Sequence, residues 1–328
     1  MTNPLPRPMI IDTDGGVDDA LAIVMALNSE HIDLKAITVL AGNIDVHQAA
    51  KNVLRVIDIV GPEQSPLVAK GCTKPLVNPP FYAAGIHGSD GLGELDQFKN
   101  ADGSPRYPAL TTEAATEDAV EVLLKAAKAY GNDLTIVALG PLTNLAMALE
   151  KDRPTLQKVG RIVIMGGAVK VPGNISAAAE FNFFVDPHAA QVVMESGIPL
   201  TLVGLDVAMQ APLARKDVEA YAQQNPSNVS QFIVDCTGIY MAFYRENEGF
   251  HGCYLHDPLA VGVAINSSLV TTEPVYMVVE TEGRFTSGMS LADLRDRRDE
   301  ATFPPNVDAC LGVDTERFLK LFYDLIQP

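Results

Sequence analysis

Short apolar runs alternate with stretches of helical spacing along almost the whole chain. "PMIID" (8–12) has the makeup of a strand and "DALAIVMALN" (19–28) that of a helix. "LKAITVL" (34–40) is the next apolar run. In "VHQAAKNVLRVIDIVG", Val46, Ala49, Ala50, Val53, Val56 and Ile57 recur at the intervals that line one helix face. The alternation continues through 117–131, 134–139, 141–150, 161–167, 186–197 and 200–206. Continuous apolar runs suit strands buried on both faces, and helices between them make the crossover connections. The pattern predicts an α/β protein with a single open, mostly parallel sheet flanked by helices. No Pro/Gly/Ser-rich linker, charge block or internal repeat divides the chain, so residues 1–328 are expected to form one domain.

A sheet of this kind binds ligands beyond the carboxyl ends of its strands. The turn after the first strand is therefore the first place to look for chemistry. "MIIDTDGGVDDALAI" (9–23) crowds Asp12, Asp14, Asp18 and Asp19 into eight positions around Gly15 and Gly16. Each carboxylate makes its neighbours harder to ionise, so the cluster calls for a cation, hydrogen-bond donors or a helix N-terminus. Oxygen ligands from such a turn suit Ca2+ or Mg2+. A plain helix cap explains one or two of the acids but not four. An EF-hand starting at Asp12 would need Glu at its twelfth position, where Ile23 stands. The phosphatase pattern DxDx(T/V) would need Thr or Val where Gly16 stands.

Other stretches carry candidate groups, each with a purely structural alternative. "GCYLHDPLAVGVAI" (252–265) sets His256 and Asp257 just before Pro258, a helix-start signal. The pair reads as reactive groups or as a cap with an incidental neighbour. "MGGAVKVPGNISAAAEFNFFVDP" (165–187) brings Asn174, Glu180 and Asn182 together after a strand. Such side chains fix sugar hydroxyls, and Glu180 serves equally well as a solvated or capping residue. "VLAGN" ends in Asn43 after a strand, and "GIHGSDGLGE" places His87 and Asp90 in a glycine-rich loop. Tyr240 and Tyr244, four residues apart, share one helical face, toward a pocket or within a core.

Composition narrows the partners. With 24 Lys and Arg against 41 Asp and Glu, the formal charge is −17, which repels phosphate backbones and anionic membranes. A small neutral substrate or a divalent cation is unaffected. Cys72, Cys236, Cys253 and Cys310 are widely spaced and form no CxxC, the pattern of reduced thiols in a cytoplasmic protein. "MTNPLPRP" lacks the apolar core of a signal peptide, and charges or prolines interrupt later runs before about 18 apolar residues.

In order and spacing these stretches resemble the nucleoside hydrolase family, enzymes that cleave the N-glycosidic bond of ribonucleosides. "DTDGGVDDALA" is similar to the family's DxDxGxDDxxA signature, with Gly15 where proline is common. "ALGPLTNLAMAL", "MGGAV…GN…AEFN…DP", "LVGLDVA", "HDPLAV" and "VTTEPVYMVVETEGRFTSGMSLAD" follow in the family's order. The resemblance implies the Rossmann-like sheet of that family and a tightly held Ca2+. Its ligands carry over to Asp14, Asp19, Asp257 and the backbone carbonyl of Leu139, while Asp12 supports the loop. It assigns the ribose to Asp18, Asn43, Met165, Asn174, Glu180 and Asn182. The histidine of "HDP" resembles the inosine–uridine-preferring branch, where Tyr240 and Tyr244 match tyrosines near the base and His87 covers the pocket. Family members are commonly dimers or tetramers, so a homodimer or homotetramer is implied.

The chemistry that follows is a ribosyl C–N cleavage with Asp14 as general base and His256 as general acid. An imidazole's ordinary pKa lies near neutral pH, which suits that second role. The rival from another class is a non-catalytic, Ca2+-dependent nucleoside-binding protein on the same scaffold. A phosphatase is disfavoured because the chain has no convincing phosphate loop and its acidic pocket repels phosphate.

Overall fold

The computed structural model describes residues 6–110, 112–295 and 303–327; the first five residues of "MTNPLPRP" lie outside them. Chain order begins β1 (Arg7–Thr13), α1 (Val17–Asn28), β2 (Ile32–Val39), α2 (Val46–Val60), β3 (Leu67–Lys70) and α3 (Ala84–His87). It continues with α4 (Ala119–Tyr130), β4 (Thr135–Ala138), α5 (Thr143–Leu156), β5 (Arg161–Met165), α6 (Phe181–Val185), α7 (Pro187–Met194) and β6 (Leu200–Val203). Then come α8 (Leu205–Ala208), β7 (Pro212–Ala214), α9 (Arg215–Gln224), α10 (Asn228–Glu248), β8 (Gly252–Tyr254) and α11 (His256–Ile265). The C-terminal part holds β9 (Val270–Val275), β10 (Met277–Val279), β11 (Ser290–Ala292), β12 (Val307–Val313) and α12 (Thr315–Leu325).

Eight strands form one sheet in the order β3-β2-β1-β4-β5-β6-β12-β9. All neighbours are parallel except β9, which runs antiparallel to β12 at the edge. This is the open, mostly parallel sheet flanked by helices that the apolar pattern predicts. Side chains alternate along β1, so Ile10 packs with α4, α5 and α7 on one face while Met9 and Ile11 pack with α1, α2 and α11 on the other. Burial on both faces is why these strands read as unbroken apolar runs. Helix α1 is buried along Val17–Ala26 and lies against α2, α10, α11 and α12, which explains its lack of a polar face.

Because β2 follows β1 on one side and β4 joins it on the other, the loops after β1 and β4 diverge and leave a crevice at the carboxyl end. Asp14, Asn43, Leu139 and Gly166 all follow strand ends along this rim. Several elements escaped the periodicity reading, among them β3, α9 and α12. Helix α10 is long and mixed, and β12 threads between β6 and β9 from the far end of the chain. Among the described residues no helix is long and apolar enough to cross a membrane.

Candidate active site

The four aspartates after β1 divide into two roles by the strand's alternation. Asp12 points away from the crevice: its Oδ1 accepts from Thr38 Oγ1 at 2.6 Å and from Asn144 Nδ2 at 2.8 Å. It ties β1 to β2 and α5, and burial raises its pKa to about 7. Asp14 is held at both oxygens by one residue, Asn43. The Asn43 backbone N–H donates to Oδ2 at 2.6 Å and its Nδ2 to Oδ1 at 3.1 Å. This embrace requires bare backbone at residue 42, since a Cβ on Gly42 would lie 2.0 Å from Asp14 Oδ2. Gly15 turns with φ +72° against Ala49, where a side chain would be strained and would clash.

Asp19 both caps α1 and joins the cluster. Its Oδ2 accepts from the Gly16 N–H at 2.8 Å and from Asn43 Nδ2 at 3.3 Å. Its Oδ1 accepts from the Thr13 hydroxyl and from the Asp14 N–H. Asp257, in the first turn of α11, closes the group from the opposite side. One carboxylate oxygen each from Asp18, Asp19 and Asp257 lies within 4.8 Å of the other two, close enough to hold a metal ion. That geometric triad contains Asp18 in place of Asp14, which stands behind Asp19. Burial and the neighbouring charges push Asp14 and Asp257 well above the ordinary carboxylate range, and Asp18 up to about 8. Asp18 Oδ1 is buried with no hydrogen-bond partner. Mutually repelling buried carboxylates and an orphaned oxygen are what a hard cation would satisfy, so the residues fit one. The Leu139 carbonyl sits at the same floor and accepts from Asn182 Nδ2 at 2.7 Å, leaving its second lone pair free.

The loop after β5 supplies the next wall. Glu180 caps α6, its Oε1 accepting from the Asn182 N–H at 2.9 Å and its Oε2 from Gly167 at 3.0 Å and Phe183 at 3.2 Å. It also lines the cavity. Asn182 Nδ2 spans the ends of β4 and β5, donating to the carbonyls of Leu139 and Met165. Asn174 accepts from the Phe181 N–H at 3.0 Å and shares the same wall.

Opposite stand four rings from three helices. His87 stacks on Tyr240 at 5.0 Å, and Tyr240 meets Tyr244 edge-on at 5.2 Å. Hydroxyls link them: Tyr240 donates to Asp18 Oδ2 at 3.4 Å, the two phenols lie 3.4 Å apart, and the Tyr244 hydroxyl is 3.1 Å from His256 Nε2. His87 Nδ1 is 3.9 Å from Asp18 Oδ1, yet it accepts the Val17 N–H at 3.1 Å. The ring is therefore the neutral Nε2–H tautomer and the contact is no ion pair. Burial lowers both His87 and His256 to about 4. The ordinary imidazole value near neutral pH therefore does not carry over to His256, because a histidine sealed among aromatic rings loses the hydration its charged form needs.

One cavity thus gathers Asp18, Asn43, His87, Leu139, Met165, Asn174, Glu180, Asn182, Tyr240, Tyr244, His256 and Asp257; Asp14 and Asp19 do not line it but are tied to its wall through Asn43. Its outer lining adds Ile175, Phe181, Met209, Phe243 and Glu248, which sequence reading missed. Phe243 was within reach, lying three residues beyond Tyr240 on α10. Met209 and Glu248 carry no local signal, because only the packing of distant elements brings them to the mouth.

A buried carboxylate floor under an imidazole–phenol wall lies on the rim of a parallel sheet, where α/β proteins of this class bind small molecules. A family model described as inosine-uridine preferring nucleoside hydrolase matches residues 9–320. The chain belongs to that family and is a hydrolase acting on N-glycosyl bonds. It is 38% identical over 316 residues to the pyrimidine-specific ribonucleoside hydrolase RihA of Klebsiella pneumoniae, covering 96% of each chain. Among solved structures, a plant nucleoside hydrolase, PpNRh1, superposes with a TM-score of 0.89 at 32% identity, covering 98% of this chain and 99% of the other. The purine-preferring ribonucleoside hydrolase of Gardnerella vaginalis gives 0.88 at 36% identity, covering 98% of each.

Proposed function

We propose that the protein hydrolyses ribonucleosides of the inosine and uridine type, purine and pyrimidine alike, to ribose and free base in a calcium-dependent reaction. The observation that carries this reading is the meeting of Asp18, Asp19 and Asp257 oxygens beneath a wall of His87, Tyr240, Tyr244 and His256. Asp14, Asp19, Asp257 and the Leu139 carbonyl would hold a calcium ion, which would supply the positive charge this acid cluster lacks. Asp18, Asn43, Met165, Asn174, Glu180 and Asn182 bind the ribose. Asp14 takes the proton of the attacking water. The remaining carboxylates stabilise the positive charge that develops on the sugar.

His256 protonates the departing base from the opposite wall, with the Tyr244 hydroxyl orienting its Nε2. Burial favours the neutral ring, so the fraction of enzyme in which His256 has taken a proton from solvent passes it to the base, and the ring is left neutral again. Tyr240, Tyr244 and His87 flank the base. We take residues 1–328 to work as one domain, in the cytoplasm, as a homodimer or homotetramer; the free cysteines accord with a reducing compartment.

The test is initial rates across a panel of purine and pyrimidine nucleosides. Comparable kcat/KM on inosine and uridine supports the reading, and confinement to one base class overturns its breadth. Binding without base release over hours would instead establish the nucleoside-binding alternative. Nucleoside monophosphates should be poor substrates, because the acid floor repels their phosphate.

A further inference from the structure

Asn52 lies on α2, outside the cavity described above, and is buried at 4% exposure. Its amide nitrogen makes two hydrogen bonds of 2.8 Å in different directions, one to the Gly15 carbonyl and one to the Asp90 carbonyl. The amide orientation is fixed from its other end, where Oδ1 accepts from Gln48 Nε2 at 2.9 Å. Both Nδ2 protons are thus spent on backbone acceptors. Gly15 is the hinge of the turn that carries Asp14, Asp18 and Asp19. Asp90 belongs to the glycine-rich segment directly after His87.

That segment is a preformed unit. The Asp90 carboxylate accepts from the N–H groups of Leu92, Glu94 and Leu95 at 2.8–2.9 Å, and the Gly93 N–H returns to the His87 carbonyl. Among the described residues, the hydrogen bond that joins His87 to the acidic turn is the Val17 N–H on its Nδ1. One amide therefore spans the two structures that must keep a fixed separation, the carboxylate floor and the loop that bears a wall imidazole.

We propose that Asn52 is a positioning residue for the hydrolytic reaction, tying the acidic turn to the His87 loop from beneath while touching neither substrate nor reacting atoms. The proposal rests on the hydrolase reading, but its structural half is testable without turnover. Asn52→Asp keeps the size and the acceptor toward Gln48 and removes both donors. A misplacement of about 1 Å at reacting groups costs on the order of 100-fold in rate, so kcat/KM should fall about 10- to 100-fold, with kcat falling and KM rising together. In ligand-free Asn52→Asp protein, amide exchange should accelerate at Asp14–Val17 and at His87–Leu95 in concert, while the core of α1 stays protected.

Gln48→Ala, at a half-exposed position that leaves the fold intact, is the second variant and should show the same signature at about two- to fivefold. A merely structural Asn52 predicts otherwise: a lowered Tm, with kcat/KM at 25 °C within twofold of the parent and unchanged exchange in the two segments. That result, or loss of exchange protection in only one segment, overturns the proposal. Should Asn52→Asp fail to fold, unchanged kinetics and exchange in Gln48→Ala overturn it equally. If the protein turns over no nucleoside, the hydrolase reading fails while the exchange measurement still decides whether Asn52 links the two segments.

Discussion

On the floor of the pocket, Asp14, Asp18 and Asp19 come from six consecutive residues at the end of β1, with Asp257 added from α11. On the wall, His87, Tyr240, Tyr244 and His256 come from α3, α10 and α11. The floor is held by short bonds to backbone N–H groups, the Gly16 N–H to Asp19 within the turn and the Asn43 N–H to Asp14 from the loop after β2. The wall is held by ring packing and long hydroxyl contacts of 3.1–3.4 Å. Burial acts on the two in opposite directions, raising the carboxylates and lowering the imidazoles, so that each side sits away from its charged form. On the proposed reading, the floor needs a cation and the wall a proton for the base, so the chemistry common to all ribonucleosides falls to the floor and discrimination among bases to the wall.

Substitutions can break this division. Asp14→Ala should have the largest effect, up to about 10⁴-fold in kcat on every substrate, because floor groups act on the shared ribose. A loss confined to some bases would place Asp14 on the wrong side of the comparison. His256→Ala should lose about 10²- to 10⁴-fold on inosine yet keep most activity on a nitrophenyl riboside, whose leaving group needs no proton. Equal losses on both substrates would end its role as acid. Tyr244→Phe removes one neutral hydrogen bond to that ring, so inosine turnover should fall by about tenfold or less and the nitrophenyl substrate should be spared.

The smallest effect concerns stability and pH. Asp18 is raised from 3.8 to about 8 and Glu180 from 4.5 to about 7, so the folded metal-free protein holds protons that the unfolded chain releases. Their contribution is fully present below about pH 4 and is lost as pH rises toward 8. Thermal melts of metal-free protein should therefore decline from pH 5 to pH 8, and calcium should stabilise more at the upper end. A metal-free Tm that rises across that interval would contradict the picture.

The same contrast explains what could be read from the chain. β1, β2, α2 and the parallel character of the sheet were legible because buried strands and an amphipathic helix leave a local periodicity, and α1 because a long apolar run follows the acidic turn. The floor was legible because four acids around two glycines are anomalous within eight residues. Glu180 and Asn182 stood out by type, although their bonds to backbone groups of Gly167, Leu139 and Met165 depend on where β4 and β5 end. The wall was readable only as pairs, since nothing near Tyr244 announces that His256 faces it across a turn. The depressed pKa of His256 arises from rings that three helices bring together, and no window of sequence contains them. Asn52 was hidden for the same reason: a polar residue on the buried side of α2 looks like a flaw until Gly15 and Asp90 are placed over it.

The most direct measurement is inosine and uridine turnover by protein stripped of metal with a chelator and then reloaded. Activity should vanish on stripping and return with Ca2+, with the Asp257→Asn variant requiring far more calcium for half-recovery. Full activity in rigorously metal-free protein would contradict a cation-dependent floor.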